Sequence, residues 1–437
     1  MQLAWPAPRR AWWTVAVLTV AYIVSFVDRT ILGLLIEPVK VDLVLNDTEI
    51  GLLQGVAFGL FYAAMGLPLG YLADRTSRRG LIAVGAALWC AATAACGLAS
   101  TFLQLFVARI VVGVGEAALS PAAMSIISDS FPKERRAAPI GVYAAAAAVG
   151  AGIAMIVGGT VIQLVAHRDV FALPLIGEVA RWQAAFILVG AGGLVMLPLL
   201  ATILEPLRRN ELAGSATIGT ARIDRFVREH ADFMVRHYVA VSFYSVVVYA
   251  VLSWVPAHFI RVHGWTAGET GLRYGLVLLL FGGAGTVLGG ILAAHLGKRG
   301  VAQPAIWITV IGMALAGPLL AAAGLAGDGW TSLTWYAPAL LFMTLPGGTA
   351  IQVVQEAVPN RLRGQASALY YLSNSIVGST LGPLLIGLLT DYVYQDPLRI
   401  GSALAIVALA IAPATSLLAL STRAPFARVV REATASG

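Results

Sequence analysis

The segment RIVVGVGEAALSP, residues 109–121, places Arg109 and Glu116 inside a run otherwise apolar enough to cross a bilayer. Their spacing is close to two helical turns, so both side chains point to one side of a helix, ~10 Å apart. A second apolar segment, YIVSFVDRTILGLL, carries Asp28 and Arg29 side by side. An ionised group at bilayer depth is costly unless it faces protein or water. Four such residues on two helices therefore point to one shared, wettable internal site. Its two carboxylates could take up and release protons, and its two planar guanidinium groups could hold an anion.

The elements that must position these residues are membrane helices. Of 437 residues, 59% are hydrophobic and only 12% are charged, against about 25% charged in soluble domains. The net charge of +7 comes from short basic clusters between apolar runs. No continuous basic stripe exists, which argues against a nucleic-acid partner. Cys90 and Cys96 share one apolar segment without a nearby His, so neither a zinc site nor a disulfide framework is indicated. No cofactor or metal is expected.

Runs long enough for the ~20 residues of a spanning helix fall at 12–35, 50–73, 80–99, 102–127, 138–164, 183–204, 237–260, 272–296, 303–325, 333–356, 364–388 and 400–421. They are labelled α1 to α12 in that order. The basic N-terminus before α1 mimics a leader peptide, but the apolar run continues into Asp28 and on to Leu35 without a small-residue cleavage site, so it is read as α1 itself. With an even number of spans, both termini lie on one side. Twenty-one of the 29 Lys and Arg fall on that side and six on the other, Arg29 and Arg109 being the remainder. That asymmetry predicts cytoplasmic termini.

The longest polar interval, 205–236, separates six helices from six and reads as a cytoplasmic linker, with RIDRFVREH at 222–230 forming a short surface helix. The expected domains are 1–204, the linker 205–236, and 237–437 with a short tail. The halves echo one another. GYLADRTSRRG (70–80) follows α2 and GGILAAHLGKRG (289–300) follows α8. Likewise FPKERR (131–136) follows α4 and VPNRLR (358–363) follows α10. Parallel duplication of six-helix halves is a transporter feature.

GxxxDRxxRR at 70–79, RxxxGxGEA at 109–117 and the plan of twelve helices with a long middle loop resemble the major facilitator superfamily across essentially the whole chain. Within it, FVDRTILGLL and RIVVGVGEAALSPAAMSIISDSFPKERR resemble the Spinster branch, whose members carry lysophospholipids and sphingosine phosphate. Organic-anion symporters of the superfamily also have an Asp-Arg pair in the first helix and a glutamate in the fourth. The resemblance implies an all-α membrane protein of two pseudo-symmetric six-helix halves around a central cavity lined by α1, α4, α7 and α10.

At 1.5 Å per residue, Asp28 and Arg29 lie ~24 Å from the cytoplasmic end of α1, while Arg109 and Glu116 lie ~9 Å and ~20 Å below the outer end of α4. Asp28 with Arg109 and Arg29 with Glu116 are the natural cross-helix partners. Asp28 and Glu116 are expected to carry protons, while Arg29, helped by Arg109, binds an anionic headgroup. An anion that competes for the arginine would favour protonation of the carboxylate beside it, which couples the two. The second half offers an apolar, aromatic wall for the tail of an amphipathic cargo: Phe243, Tyr244, Tyr249 and Trp254 on α7, Phe342 and Met343 on α10, and Tyr370 and Asn374 on α11.

GYLADRTSRRG resembles the superfamily's cytoplasmic gate, comprising Gly70, Asp74, Arg75 and Arg79 with Asp129 below α4. Asp74 is expected to meet the N-terminus of α11 near Gly364, and Arg79 to pair with Asp129. The second-half copy has Ala294 and His295 where Asp-Arg would stand, so one latch is expected. Gly150, Gly152, Gly158 and Gly159 on α5 are read as close-packing positions.

These features favour a proton-coupled transporter of an amphipathic lipid-like anion or drug, working by alternating access as a monomer in contact with membrane lipids. The compact chain points to a bacterial inner membrane. A symporter of small carboxylates would reuse the same arginine. The pattern GVGEAA at 113–118 lies inside a spanning helix with no strand before it, which sets aside dinucleotide binding. An intramembrane acid protease would need its carboxylates adjacent around one water. A passive channel would give flux without saturation.

Overall fold

A computed structural model of the protein describes residues 5–166, 170–173, 177–208, 223–359 and 362–435. Hydrocarbon offers no partner for backbone N–H and C=O groups, and a helix satisfies them internally. Among the described residues, twelve helices are long and apolar enough to span: α1 Pro8–Leu34, α2 Asp47–Ala73, α3 Arg78–Cys96, α4 Phe102–Ser130, α5 Ala138–Leu164, α6 Arg181–Ala201, α7 Ala231–Arg261, α8 Ala267–Lys298, α9 Pro304–Gly324, α10 Gly329–Ala357, α11 Arg363–Tyr394 and α12 Pro397–Glu432. Each overlies one expected run. The largest extension, at the end of α12, carries Arg423, Arg428 and Arg431, charges that end a hydropathy run. Of the linker, 209–222 lies outside the described residues.

Side-chain caps set several starts. Asn46 with Glu49, and Thr266 with Glu269, form reciprocal capping boxes before α2 and α8. Thr101 caps α4, and Asp328 accepts from the N–H groups of Trp330 and Thr331 at α10. Such caps supply orphan helix donors with acceptors, each contributing about 1 kcal/mol.

The contacts divide the chain into two units. The first is Met1–Ala216 with Trp265–Leu279, and the second is Thr217–Gly264 with Leu280–Gly437. In the first unit, α1 packs on α5, α3 lies between α4 and α6, and the first turns of α8 (Ala267–Val277) run along α5. Close approach explains the α5 glycines: a Cβ on Gly152 would stand 2.6 Å from Leu279 N, and one on Gly159 would stand 2.9 Å from Gly271 Cα. A feature absent from the sequence reading is a small antiparallel hairpin between α5 and α6, β1 Val170–Leu173 with β2 Gly177–Ala180, in register Val170↔Ala180.

In the second unit, α9 packs on α10 and α12, and α7 on α11 and α12. The expected surface helix forms at Ile223–Glu229. Its arginines pair at i,i+4 spacing with Glu229 and Asp224 on the exposed face. Phe226 enters a core that also holds Phe233, Tyr238, Tyr370, Phe426 and Val429.

Candidate functional site

α4 meets its neighbours through two glycines. A Cβ on Gly113 would lie 2.6 Å from the Phe58 carbonyl oxygen, and one on Gly115 would lie 2.9 Å from both Gly85 O and Trp89 N. Backbone atoms cannot swing aside, so these glycines let α2 and α3 close on the part of α4 that carries Arg109 and Glu116. Phe58 belongs to a π-helical turn, Gly55–Leu60, a widened winding that recurs at functional sites. On α1, the buried series Thr14, Leu18, Ala21, Ser25, Asp28 and Leu32 steps by three or four residues. Asp28 therefore turns inward, and Arg29 emerges about 100° round the helix.

Arg29 Nε donates to Glu116 Oε2 at 2.5 Å, with side chains 14% and 0% exposed. The second expected ion pair takes another form: Arg109 Nη1 donates at 2.9 Å to the main-chain oxygen of Asp28, not to its carboxylate. That carboxylate is turned towards α3, where Thr93 approaches it without reaching hydrogen-bond geometry. Asp28 is fully buried, and both its oxygens, like Glu116 Oε1, lack a hydrogen-bond partner among the described residues.

Around the charges stands an aromatic collar that sequence reasoning missed, having assigned the aromatic wall to the second half alone. The Arg29 guanidinium lies 5.1, 5.2 and 4.6 Å from the ring centroids of Phe26, Phe58 and Tyr62, and Arg109 lies 5.1 Å from Phe58. Tyr22 stacks on Tyr143 at 5.1 Å. The available signal was spacing: Tyr22 and Phe26 fall seven and three residues before Arg29. Aromatic faces attract a desolvated guanidinium, so the collar holds Arg29 beside Glu116.

At the α2–α3 turn the geometry corrects the expected pairing. Arg78, not Arg79, binds Asp129, at 2.5 Å, and its guanidinium also donates to Ser125, Glu205 and the Pro206 carbonyl. Arg79 donates to the Ile203 carbonyl at 3.0 Å. The reason lies in the helix face: Arg78, Ile82, Gly85, Trp89, Thr93 and Cys96 form the buried stripe of α3, and Arg79 stands off it. The start of the linker is drawn in as well, since Arg208 donates to the carbonyls of Ala73, Asp74 and Thr76. Burial pushes the Glu205 carboxyl up, but hydrogen bonds from the Ser77 hydroxyl and from the Arg78 backbone and side chain outweigh it and hold Glu205 below its ordinary range. Arg75 lies over the Tyr71 ring at 3.9 Å. A Cβ on Gly70 would meet only Pro121 Cβ at 3.8 Å, an ordinary contact.

In the second unit, Tyr370 stands beside Tyr244 and Asn374, and Phe243, Tyr249, Phe342 and Asn374 are half-buried. Four expected wall residues are instead interior, Tyr370 at 3% exposure and Tyr244 at 9% among them. Trp254 is 0% exposed, with its indole N–H donating to Pro383 O at 2.8 Å, and Met343 is 1% exposed. Both are enclosed by the protein, where a large side chain stabilises packing. Among the described residues no group of three or more His, Cys, Asp or Glu could hold a metal ion.

Residues 18–383 match the Major Facilitator Superfamily. An MFS-type efflux pump of Mycolicibacterium smegmatis is 29% identical over 89% of this chain and 86% of that protein. Protein spinster of Drosophila melanogaster is 27% identical over 89% of this chain and 63% of that longer protein. A crystal structure described as a bacterial homolog to the human lysosomal transporter Spinster, inward-facing and unoccupied, aligns with a TM-score of 0.77 and 25% identity over 98% of each chain.

Proposed function

Because the chain belongs to the Major Facilitator Superfamily, and is thus an integral multi-pass membrane transporter and not an enzyme, we propose that it moves an amphipathic, anionic, lipid-like molecule in exchange with or alongside protons. The observation that carries this reading is the Arg29–Glu116 pair inside an aromatic collar. Arg29 is the cation for a phosphate or carboxylate headgroup, with Arg109 in support. When the headgroup takes Arg29, Glu116 loses its counter-charge and a proton replaces it. Asp28 is the second proton carrier. On the second unit, the half-buried Phe243, Tyr249, Phe342 and Asn374 suit the tail of such a molecule. Gly70, Asp74, Arg75 and Arg79 with Asp129 belong to the cytoplasmic latch, to which Arg78 is added. The protein works as a monomer in a bacterial inner membrane with both termini cytoplasmic.

A second cargo, an amphiphilic drug, is favoured by the same collar, since aromatic faces accept apolar rings and cations alike; the mycobacterial relative is named an efflux pump. The test is transport into proteoliposomes under an imposed pH gradient, offering a lysophospholipid, sphingosine phosphate, an amphiphilic dye and a hexuronate. Saturable, gradient-driven flux of a lipid or dye supports the reading. Flux of the hexuronate alone would replace it with a small-carboxylate symporter.

A further inference from the structure

Past Asp28 the charge cluster is backed by α3, which brings Thr93 and Cys90 to the carboxylate. Six buried side chains on α1 to α4 leave seven polar atoms without a hydrogen-bond partner among the described residues: both Asp28 oxygens, Gln54 Nε2, Trp89 Nε1, Thr93 Oγ1, Arg109 Nε and Glu116 Oε1. They belong together. Thr93 approaches Asp28, Cys90 on the same helix is within electrostatic reach of both Asp28 and Glu116, and Cys96 faces Arg109 and Asp28. Trp89 N meets the backbone of α4 at Gly115, next to Glu116. Gln54 lies one turn before Phe58, over whose ring Arg109 sits.

A buried polar group left unsatisfied costs free energy, and natural structures leave few of them. The composition of the set identifies what satisfies it. Gln54, Trp89 and Arg109 present donors, while Asp28 and Glu116 present acceptors and Thr93 presents both. A metal ion satisfies only acceptors, whereas water donates and accepts.

We propose that α3 and α2 complete an internal water relay, in which Thr93, Trp89 and Gln54 hold a few water molecules that pass protons between Asp28 and Glu116. Thr93 is a positioning residue: its hydroxyl donates to Asp28 when the carboxylate is charged, and accepts when Asp28 is protonated. Asp28 is also faced by Glu116, Arg109, Arg29, Cys90 and Cys96. The proposal rests on the proton-coupled reading above.

The test compares Thr93→Val, Thr93→Ser and Trp89→Phe with Asp28→Asn in proteoliposomes, measuring both gradient-driven flux and substrate counterflow at equal pH. Val keeps the shape of Thr and loses the hydroxyl. The expected result is a loss of about tenfold or more in gradient-driven flux for Thr93→Val, as for removal of a positioned proton-transfer group, with counterflow and substrate affinity kept and with Ser restoring flux. Trp89→Phe should act in the same direction and serves if Thr93→Val fails to fold. Wild-type gradient-driven flux in either folded variant, or an equal fall in counterflow, overturns the relay. If Asp28→Asn itself keeps its pH dependence, the proton-coupled reading fails and takes the relay with it; if only Asp28→Asn responds, the relay alone fails.

Discussion

Arg109 is tied to the peptide oxygen of Asp28, 2.9 Å from its Nη1, and not to the Asp28 carboxylate. The tie between α1 and α4 is therefore independent of the charge on Asp28. Asp28→Asn should leave thermal stability nearly unchanged, whereas Arg109→Met removes a charge-assisted hydrogen bond and should cost about 1.5–3 kcal/mol. Thermal unfolding of the two variants in detergent checks this; equal destabilisation would place the tie on the carboxylate.

Arg29 and Glu116 form an ion pair whose acid is fully buried. Arg29→Met leaves Glu116 uncompensated and should destabilise by about 3–5 kcal/mol, while Arg29→Met with Glu116→Gln should be milder than Arg29→Met alone. A double-mutant cycle read by thermal unfolding measures the coupling.

Arg78 and Arg79 are adjacent but unequal. Arg78 is 1% exposed and bound to Asp129 and Glu205, so Arg78→Ala should cost about 3–5 kcal/mol. Arg79→Ala, which loses only contacts to backbone carbonyls, should cost about 1 kcal/mol. A larger loss at Arg79 would reverse the assignment.

Gly113 and Gly141 separate close approach from helix propensity. Gly113→Ala forces a Cβ to 2.6 Å from Phe58 O, whereas Gly141 has nothing within 4 Å. Gly113→Ala should destabilise by about 1–3 kcal/mol and lower transport by displacing α2 from Arg109. Gly141→Ala should be neutral or stabilise by up to about 1 kcal/mol.

Glu205 gives a signed pH effect. Its carboxyl is held below the ordinary glutamate range in the fold, so its contribution is complete above the unfolded value of about 4.3 and is lost as pH falls through the lower folded value. Protease cleavage of the linker, monitored against pH, should rise in that acidic window for the wild type. Glu205→Gln should show raised cleavage that no longer changes there.

The spans were legible because lipid demands long apolar helices and tolerates few charges, so every intruding charge is conspicuous. Arg29 and Glu116 met as expected for that reason. The pairing expected for Arg79 falls to Arg78 because the end of the motif DRTSRR presents two adjacent arginines of equal chemistry, and only the α3 stripe through Ile82, Gly85 and Trp89 shows which one faces inward. Trp254 and Met343 lie in the interior and not on the expected wall, because an aromatic or thioether side chain on a spanning helix reads alike whether it faces a seam or a guest.

By itself the chain determined twelve membrane crossings and the four charged residues that hydrocarbon would not accept alone. Tertiary structure decided which atoms of those residues meet. Helix period places a side chain on a face, but whether a guanidinium reaches a carboxylate, a carbonyl or a ring depends on how closely neighbouring helices approach. At Gly113 and Gly115 that approach is set by contacts with Phe58, Gly85 and Trp89, residues distant in sequence.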